Sequence, residues 1–112
     1  MYSYTRPYLL IYLLTLENMR ATALRVYDAI FSNQPTLVLE GTTYFMDRTP
    51  RSKLRLYTIK GYTFLEQNPR KSSHWAKLAR EGHRIMWIMR GRRYLGQVRE
   101  GEFHDFRKQR PE

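Results

Sequence analysis

The first regular pattern in the chain is a helical one over residues 19–32. Apolar side chains recur there at every third or fourth position, which places them on one stripe of an α-helix. The stripe consists of Ala23, Leu24, Tyr27, Ile30 and Phe31. Asn18 stands where it can cap the helix N-terminus, and the polar residues from Ser32 to Pro35 end the pattern. The sequence therefore predicts one amphipathic helix that packs on the rest of the fold.

From residue 36 onwards the apolar positions alternate with polar ones, which is typical of β-strands. The predicted strands are residues 36–40, 43–47, 54–59, 62–66, 84–90, 93–99 and 102–106. Most of them are separated by short turns that contain glycine, as in β-hairpins. Strand 84–90 is apolar on both faces, so we expect it at the centre of the sheet.

A second, shorter helix is predicted before this central strand. Ser72 and Ser73 are suited to cap a helix over residues 74–81, and Gly82 suits the position after its last turn. We expect the buried edge of this helix to consist of Trp75, Leu78 and Ala79.

These elements together predict an α+β fold. Its core would be a mostly antiparallel, twisted sheet built from hairpins, with the N-terminal helix and the short helix packed on one side of it. The same strands could also curl into a small barrel. Residues 19–106 would form a single α+β domain, because a chain of 112 residues suits one domain. Residues 1–18 would be an apolar N-terminal extension, and residues 107–112 a flexible basic tail.

Charge adds a functional indication to this architecture. Twenty Lys and Arg residues against ten Asp and Glu residues give a net charge of +10 at pH 7. Residues 57–112 carry thirteen of the basic and six of the acidic residues. Such an excess favours a polyanionic partner, which would be nucleic acid, an acidic protein surface or anionic lipid. Arginine outnumbers lysine fifteen to five, which suits bidentate phosphate binding, although a GC-rich genome would give the same bias.

Nine cations in the second half of the chain are the candidate binding residues. They are Arg70, Lys71, Lys77, Arg80, Arg84, Arg90, Arg92, Arg93 and Arg99. The connections between the short helix and the following hairpin are short, so we expect the nine cations to share one end of the domain. Ser72 and Ser73 would add an anion site at the helix N-terminus. The alternative is a solvated face whose arginines pair with Glu66, Glu81, Glu100 and Glu102.

Aromatic residues on the strands have two possible roles. Tyr57, Tyr62, Phe64, Trp87 and Tyr94 would provide stacking surfaces if a single nucleic-acid strand crossed them. Aromatic side chains on antiparallel strands more often belong to the core or to cross-strand pairs. We expect both tryptophans, Trp75 and Trp87, in the core.

The sequence offers no recognisable catalytic or cofactor motif. Cysteine is absent, which excludes a disulfide framework and a thiolate nucleophile. His74, His83 and His104 lack the spacing of a metal site, and the glycines form no phosphate-binding loop. We therefore expect neither a cofactor nor a metal, nor enzymatic activity, although a nuclease built from Arg, Lys, Tyr and His would leave no linear motif.

Two functions remain open at this point. The first is non-catalytic binding of the nucleic-acid phosphate backbone through the arginine-rich face. The second is an accessory or adaptor subunit that binds an acidic protein partner and docks through the apolar run Tyr8 to Leu16. That run is too short to span a bilayer, which takes about 20 residues. The absence of cysteine is compatible with the cytoplasm, where we expect the protein.

Overall fold

The structure, a computed structural model, describes residues 16–106. Most of the predicted extension 1–18 and the whole predicted tail 107–112 lie outside the described residues, and so does the run from Tyr8, apart from its last residue. The elements are α1 (Leu16–Phe31), β1 (Thr36–Leu39), β2 (Thr42–Phe45), β3 (Asp47–Arg48), β4 (Arg55–Ile59), β5 (Tyr62–Glu66), α2 (His74–Arg80), β6 (Ile85–Arg90), β7 (Arg93–Arg99) and β8 (Glu102–Asp105). The predicted α+β class is confirmed.

Helix α1 buries three residues of the predicted stripe and three others, while Leu24 and Phe31 of the stripe are half-buried. The fully buried side chains of the helix are Met19, Ala23, Val26, Tyr27, Ala29 and Ile30. Because α1 already includes Leu16, Asn18 lies inside the helix, and the prediction that it caps the N-terminus is wrong. Asn33 follows the helix and terminates it, because its φ of 56° is left-handed. The amides of Asn33 and Gln34 donate to the carbonyls of Ile30 and Ala29, which completes a Schellman C-terminus.

The strands form two sheets instead of one. The hairpin β1–β2 stands alone, and the larger sheet has the order β3-β4-β5-β6-β7-β8 with all neighbours antiparallel. The predicted strand 43–47 divides at Met46, whose amide donates to the carbonyl of Pro35, and β3 then joins the larger sheet. Since β3 and β8 are the two edges, the larger sheet is open and does not close into a barrel.

Strand β6 lies between β5 and β7, so the expectation of a central strand is confirmed. On the face towards α1, the side chains of Tyr57, Phe64 and Ile88 lie opposite one another on three adjacent strands, each fully buried. The Tyr57 hydroxyl donates to the carbonyl of Gln34, which ties the end of α1 to the sheet. Burying three such side chains stabilises the fold by roughly 5–9 kcal/mol, which makes this face the main core.

Helix α2 lies against the opposite face, so the expectation of both helices on one side is wrong. Side chains alternate between faces along a strand, and Val98 points into the α1 core. Arg99 therefore projects from the other face, where its guanidinium lies 4.6 Å from the ring centroid of Trp75 on α2. Ala76 and Ile85 are fully buried yet lie outside the main core, which fits a second, smaller apolar contact at this end.

One ion pair joins α1 to the sheet. The Arg55 guanidinium binds both carboxylate oxygens of Glu66, at 2.9 and 3.1 Å, and donates through Nη1 to the carbonyl of Ile30 at 2.6 Å. The two side chains are 21% and 19% exposed, so water screens the pair only in part. Burial by itself would raise the pKa of Glu66, but its interactions with Arg55 outweigh burial and hold that pKa below its ordinary value.

We predict that Glu66→Gln lowers the free energy of unfolding by about 1–3 kcal/mol at pH 7, because Arg55 loses its charged acceptor. The pKa of Glu66 is depressed in the folded state, so the pair stabilises the protein above about pH 4.5 and less as the pH falls through the lowered pKa. Denaturant unfolding from pH 7 to pH 3 should show the wild-type advantage shrinking. Glu40→Gln, at the exposed pair with Lys60, is the control and should change little. A constant difference between wild type and E66Q would contradict the linkage.

We predict that Gly96→Ala destabilises the sheet by about 1–3 kcal/mol through overpacking. A Cβ at Gly96 would clash with the backbone carbonyl of His104, so β7 and β8 would have to separate. Gly101→Asn is the control, because Gly101 has open space and asparagine tolerates its left-handed φ of 83°. Equal thermal stability of the two variants would contradict the close approach of the β7 and β8 backbones at Gly96.

Candidate nucleic-acid interface

The nine predicted cations do not share one end of the domain. Strands β6 and β7 are antiparallel, with Ile85 opposite Arg99 and Arg90 opposite Arg93. A strand rises about 3.3 Å per residue, so the two ends of β6 are separated by about 17 Å. The cations form a helix-end group, Arg70, Lys71, Lys77, Arg80, Arg84 and Arg99, and a turn group, Arg90, Arg92 and Arg93. The expectation of a single cluster is wrong because α2 lies before the first residue of β6 and the turn lies after its last residue, at the opposite end of the strand.

Hydrogen bonds to backbone carbonyls organise the helix-end group. Arg80, in the last turn of α2, donates through Nη1 to the carbonyls of Pro69 at 2.6 Å and Lys71 at 2.8 Å. Arg70 donates through Nη1 to the carbonyl of Ser52 at 3.2 Å. These bonds hold the segment before α2 against both the helix and the loop that precedes β4. The guanidinium groups use part of their donor capacity and keep their charge.

The Arg70–Ser52 contact brings two cations that sequence reasoning missed into the helix-end group. Arg51 and Lys53 flank Ser52, and both are exposed. Residues 49–54 and 69–81 together contain six basic residues and a single acidic one, Glu81. The sequence shows that the loop before β4 is polar and basic. It does not show that this loop contacts Arg70, because the contact joins residues that are 18 positions apart in the chain. We refer to Arg51, Lys53 and the helix-end group together as the extended helix-end group.

Two members of the helix-end group lie against aromatic rings. The Arg84 guanidinium is 6.0 Å from the ring centroid of Phe31, and that of Arg99 is 4.6 Å from the centroid of Trp75. Arg84 is exposed, whereas Arg99 is half-buried and its Nε has no hydrogen-bond partner among the described residues. Cation–π contacts of this kind stabilise the packing by roughly 0.5–2 kcal/mol. Both residues therefore support the fold in addition to contributing charge.

The turn group contains one anchored arginine and two free ones. Arg90 donates through Nη1 to the Tyr62 hydroxyl at 3.0 Å and lies 4.9 Å from the centroid of that ring. The side chains of Arg92 and Arg93 are exposed and form no hydrogen bond or ion pair with another described residue. Because they follow the tight turn at Gly91, their charges project from the end of the sheet.

The carboxylates that were candidates to neutralise the arginines are engaged elsewhere or stand apart. Glu66 pairs with Arg55, and Glu100 lies 3.4 Å from the His83 ring. Glu100 also accepts weakly, at 3.4 Å, from the Arg84 backbone amide. Within the described part of the chain, none of the nine cations forms an ion pair with a carboxylate. The alternative of a neutralised face is therefore not what the structure shows.

The aromatic candidates separate by sheet face. Tyr57, Tyr62 and Phe64 are buried beneath α1 and cannot serve as stacking surfaces. Trp87 and Tyr94 lie on the opposite face, half-buried, with ring centroids 4.0 Å apart. Trp87 donates through Nε1 to the Gln67 side chain, and burial raises the pKa of Tyr94. Trp75 is also half-buried, so the expectation of two core tryptophans is wrong; α2 and the open side of the sheet leave both partly accessible.

Ser73 has a structural role at α2. Its hydroxyl accepts from the Ala76 amide at 3.1 Å, which confirms the predicted N-cap, and Gly82 takes the expected left-handed position after the helix. The hydroxyl thus satisfies a helix donor that an anion would otherwise bind. Ser72 is exposed. Anion binding at Ser72 and Ser73 stays a prediction.

The histidines do not form a metal-ion site within residues 16–106. No group of three His, Cys, Asp or Glu residues lies close enough there to hold a metal ion. Burial, and then the neighbouring Arg99 charge, lowers the pKa of His104, which favours the neutral form of its ring. Over the same described range, neither helix combines the length and the apolarity needed to cross a membrane.

We predict that Arg80→Met loosens the segment before α2, because the carbonyls of Pro69 and Lys71 lose their shared donor. The Arg70 amide, which donates to Asn68 Oδ1 at 2.8 Å, should exchange with solvent roughly 3–10-fold faster. Lys77→Met removes the same charge from the same helix without removing a hydrogen bond among the described residues, and it should leave this exchange rate unchanged. Equal exchange rates in the two variants would show that Arg80 does not order the segment.

Comparison with protein-family models, with curated proteins and with solved structures gives no match for this chain. The function is therefore inferred from the charge and the geometry of the described residues.

Proposed function

We propose that this protein binds nucleic acid without catalysis, through contacts between its exposed cations and the phosphate backbone. The observation that carries the proposal is the unneutralised charge of the candidate cations. Eight of the nine are exposed, and none is paired with a carboxylate within residues 16–106. A solvated structural face does not require its cations to be free of carboxylate partners. A phosphate-binding surface does, because a cation that is already paired with a carboxylate releases fewer counterions on binding.

The extended helix-end group is the principal contact surface of the proposal. Its two segments contain six basic residues and one acidic residue, and the Arg70–Ser52 and Arg80–Pro69 hydrogen bonds hold them together. Charges that are already positioned lose less conformational entropy on binding than charges on free loops. The turn group provides a second contact at the other end of β6 and β7.

Phosphate contacts of this kind give affinity but little sequence discrimination. The proposal therefore predicts binding to mixed-sequence polymers, with a strong dependence on salt. An acidic protein surface has the same charge complementarity, which makes the adaptor function the alternative. Its distinctive feature, the apolar run Tyr8 to Leu16, lies outside the described residues except for Leu16. A cytoplasmic location belongs to the proposal in either case.

The test is the salt dependence of binding to labelled mixed-sequence DNA and RNA, measured by fluorescence anisotropy. Lys71→Gln/Lys77→Gln and Arg92→Gln/Arg93→Gln each remove two exposed charges. Each double variant should flatten the slope of log K against log salt concentration by about 1.4–1.8 units, depending on whether the polymer is single- or double-stranded. Binding at a given low salt concentration should weaken accordingly.

Arg20→Gln/Arg25→Gln is the matched control, since it removes two exposed charges from α1 and should leave the slope unchanged. Thermal unfolding of all three variants checks that each is folded. Absence of binding to both polymers at low salt would overturn the proposal, and so would an equal loss in all three variants, because that would show a nonspecific effect of net charge. Recovery of an acidic protein that persists after nuclease treatment, with no polymer binding, would favour the adaptor function.

A further inference from the structure

The face of the six-stranded sheet opposite α1, here called the open face, carries two continuous rows of side chains. The first row crosses four strands and consists of Thr58, Thr63, Met89 and Tyr94. The second crosses all six strands and consists of Asp47, Leu56, Leu65, Trp87, Gln97 and His104. Asp47 and Thr58 are exposed, Gln97 is buried, and the other members of both rows are half-buried. Helix α2 lies at one end of this face, where Trp75 meets Arg99.

Asp47 is the single acidic residue of the two rows and lies on the edge strand β3, three strands away from β6, while cations border both ends of the face. The helix-end group, which includes Arg99, lies at the end where β6 begins, and the turn group lies where β6 ends. The two rows lie between the two cation groups. A polyanion that contacts both groups along the shortest path therefore crosses the rows. The open face is therefore complementary in charge to an extended polyanion, while the opposite face is closed by α1.

The rows also supply surface for flat, apolar groups. Trp87 and Tyr94 have centroids 4.0 Å apart, and Phe106 meets Tyr94 edge to face at 4.7 Å. The Tyr94 hydroxyl and the Gln97 side chain are buried beside each other, so the ligand-accessible surface here consists of the exposed parts of the rings. Unpaired bases present a π-face that can stack on such rings.

From these observations we infer that the open face binds a single strand of nucleic acid, which runs from the helix-end group to the turn group with bases against Trp87 and Tyr94. The inference rests on the proposed function and specifies its substrate class. Stacking on aromatic rings requires unpaired bases, whereas the bases of a duplex are already stacked on each other. Single strands therefore bind more tightly than duplexes of the same sequence, although a duplex carries more phosphates.

The decisive experiment compares two threonine substitutions that change net charge equally. Thr58→Glu places a carboxylate in the first row, and Thr43→Glu places one on the exposed side of the β1–β2 hairpin, outside the larger sheet. Binding of a labelled mixed-sequence single strand of about 12 nucleotides, and of the corresponding duplex, is measured at low salt by anisotropy. T58E should bind the single strand at least about fivefold more weakly than T43E, because its carboxylate would repel the phosphates of a strand that crosses the open face.

A second readout does not depend on substitution within the rows. In the Trp75→Phe variant, Trp87 is the remaining tryptophan. Its fluorescence should be quenched by the single strand and unaffected by polyglutamate, which is a polyanion without bases. Unfolding curves for T58E and T43E confirm that both are folded.

The outcomes separate the inference from the proposed function. If single strand and duplex bind equally, if T58E binds like T43E, or if polyglutamate quenches the Trp87 fluorescence as much as the single strand does, the open face is not the site. Phosphate binding by the cation groups then still stands in the first two cases, provided the charge variants flatten the salt slope. If neither polymer binds at low salt, the proposed function is overturned, and the inference with it.

Discussion

The architecture depends on strand β6, which is apolar on both faces and must therefore be covered on both. Its position between β5 and β7 lets each face form a continuous layer with its neighbours. On one side Met86 and Ile88 join the core beneath α1. On the other side Ile85 is buried, while Trp87 and Met89 are only half-buried. A single long helix can close one face of a six-stranded sheet, so the second face stays partly accessible.

The same strand fixes the distribution of charge. Because β6 and β7 are joined by a tight turn, the residues before β6 and after β7 meet at one end, and the residues of the turn lie at the other. The arginines are thus divided by strand geometry into two groups with an uncharged aromatic surface between them. The positive charge therefore lies at the two ends of strands β6 and β7 and not in one compact cluster.

Among the described residues, two carboxylates pair with cations that are not candidate binding residues. Glu66 holds Arg55, which also binds the end of α1 through the carbonyl of Ile30. Glu40 lies near Lys60, so it links the tips of two hairpins. With these acids engaged by other residues, the candidate cations form their contacts with carbonyl oxygens and aromatic rings, which anchor guanidinium groups without cancelling their charge. An arrangement of this kind keeps the surface positive while ordering it.

The sequence by itself determined the α+β class, the two helices, the central position of β6 and the cap at Ser73, because period, turn residues and capping residues act over a few neighbouring positions. It also determined the excess of arginine. Only the tertiary structure decided that Met46 divides a strand between two sheets, that α2 lies opposite α1, and that Arg51 and Lys53 join Arg70. The tertiary structure also decided which aromatic residues are accessible, since alternation assigns Phe64 and Trp87 to different faces once the register is known. These features depend on contacts between distant segments, and a pattern of neighbouring residues does not specify such contacts.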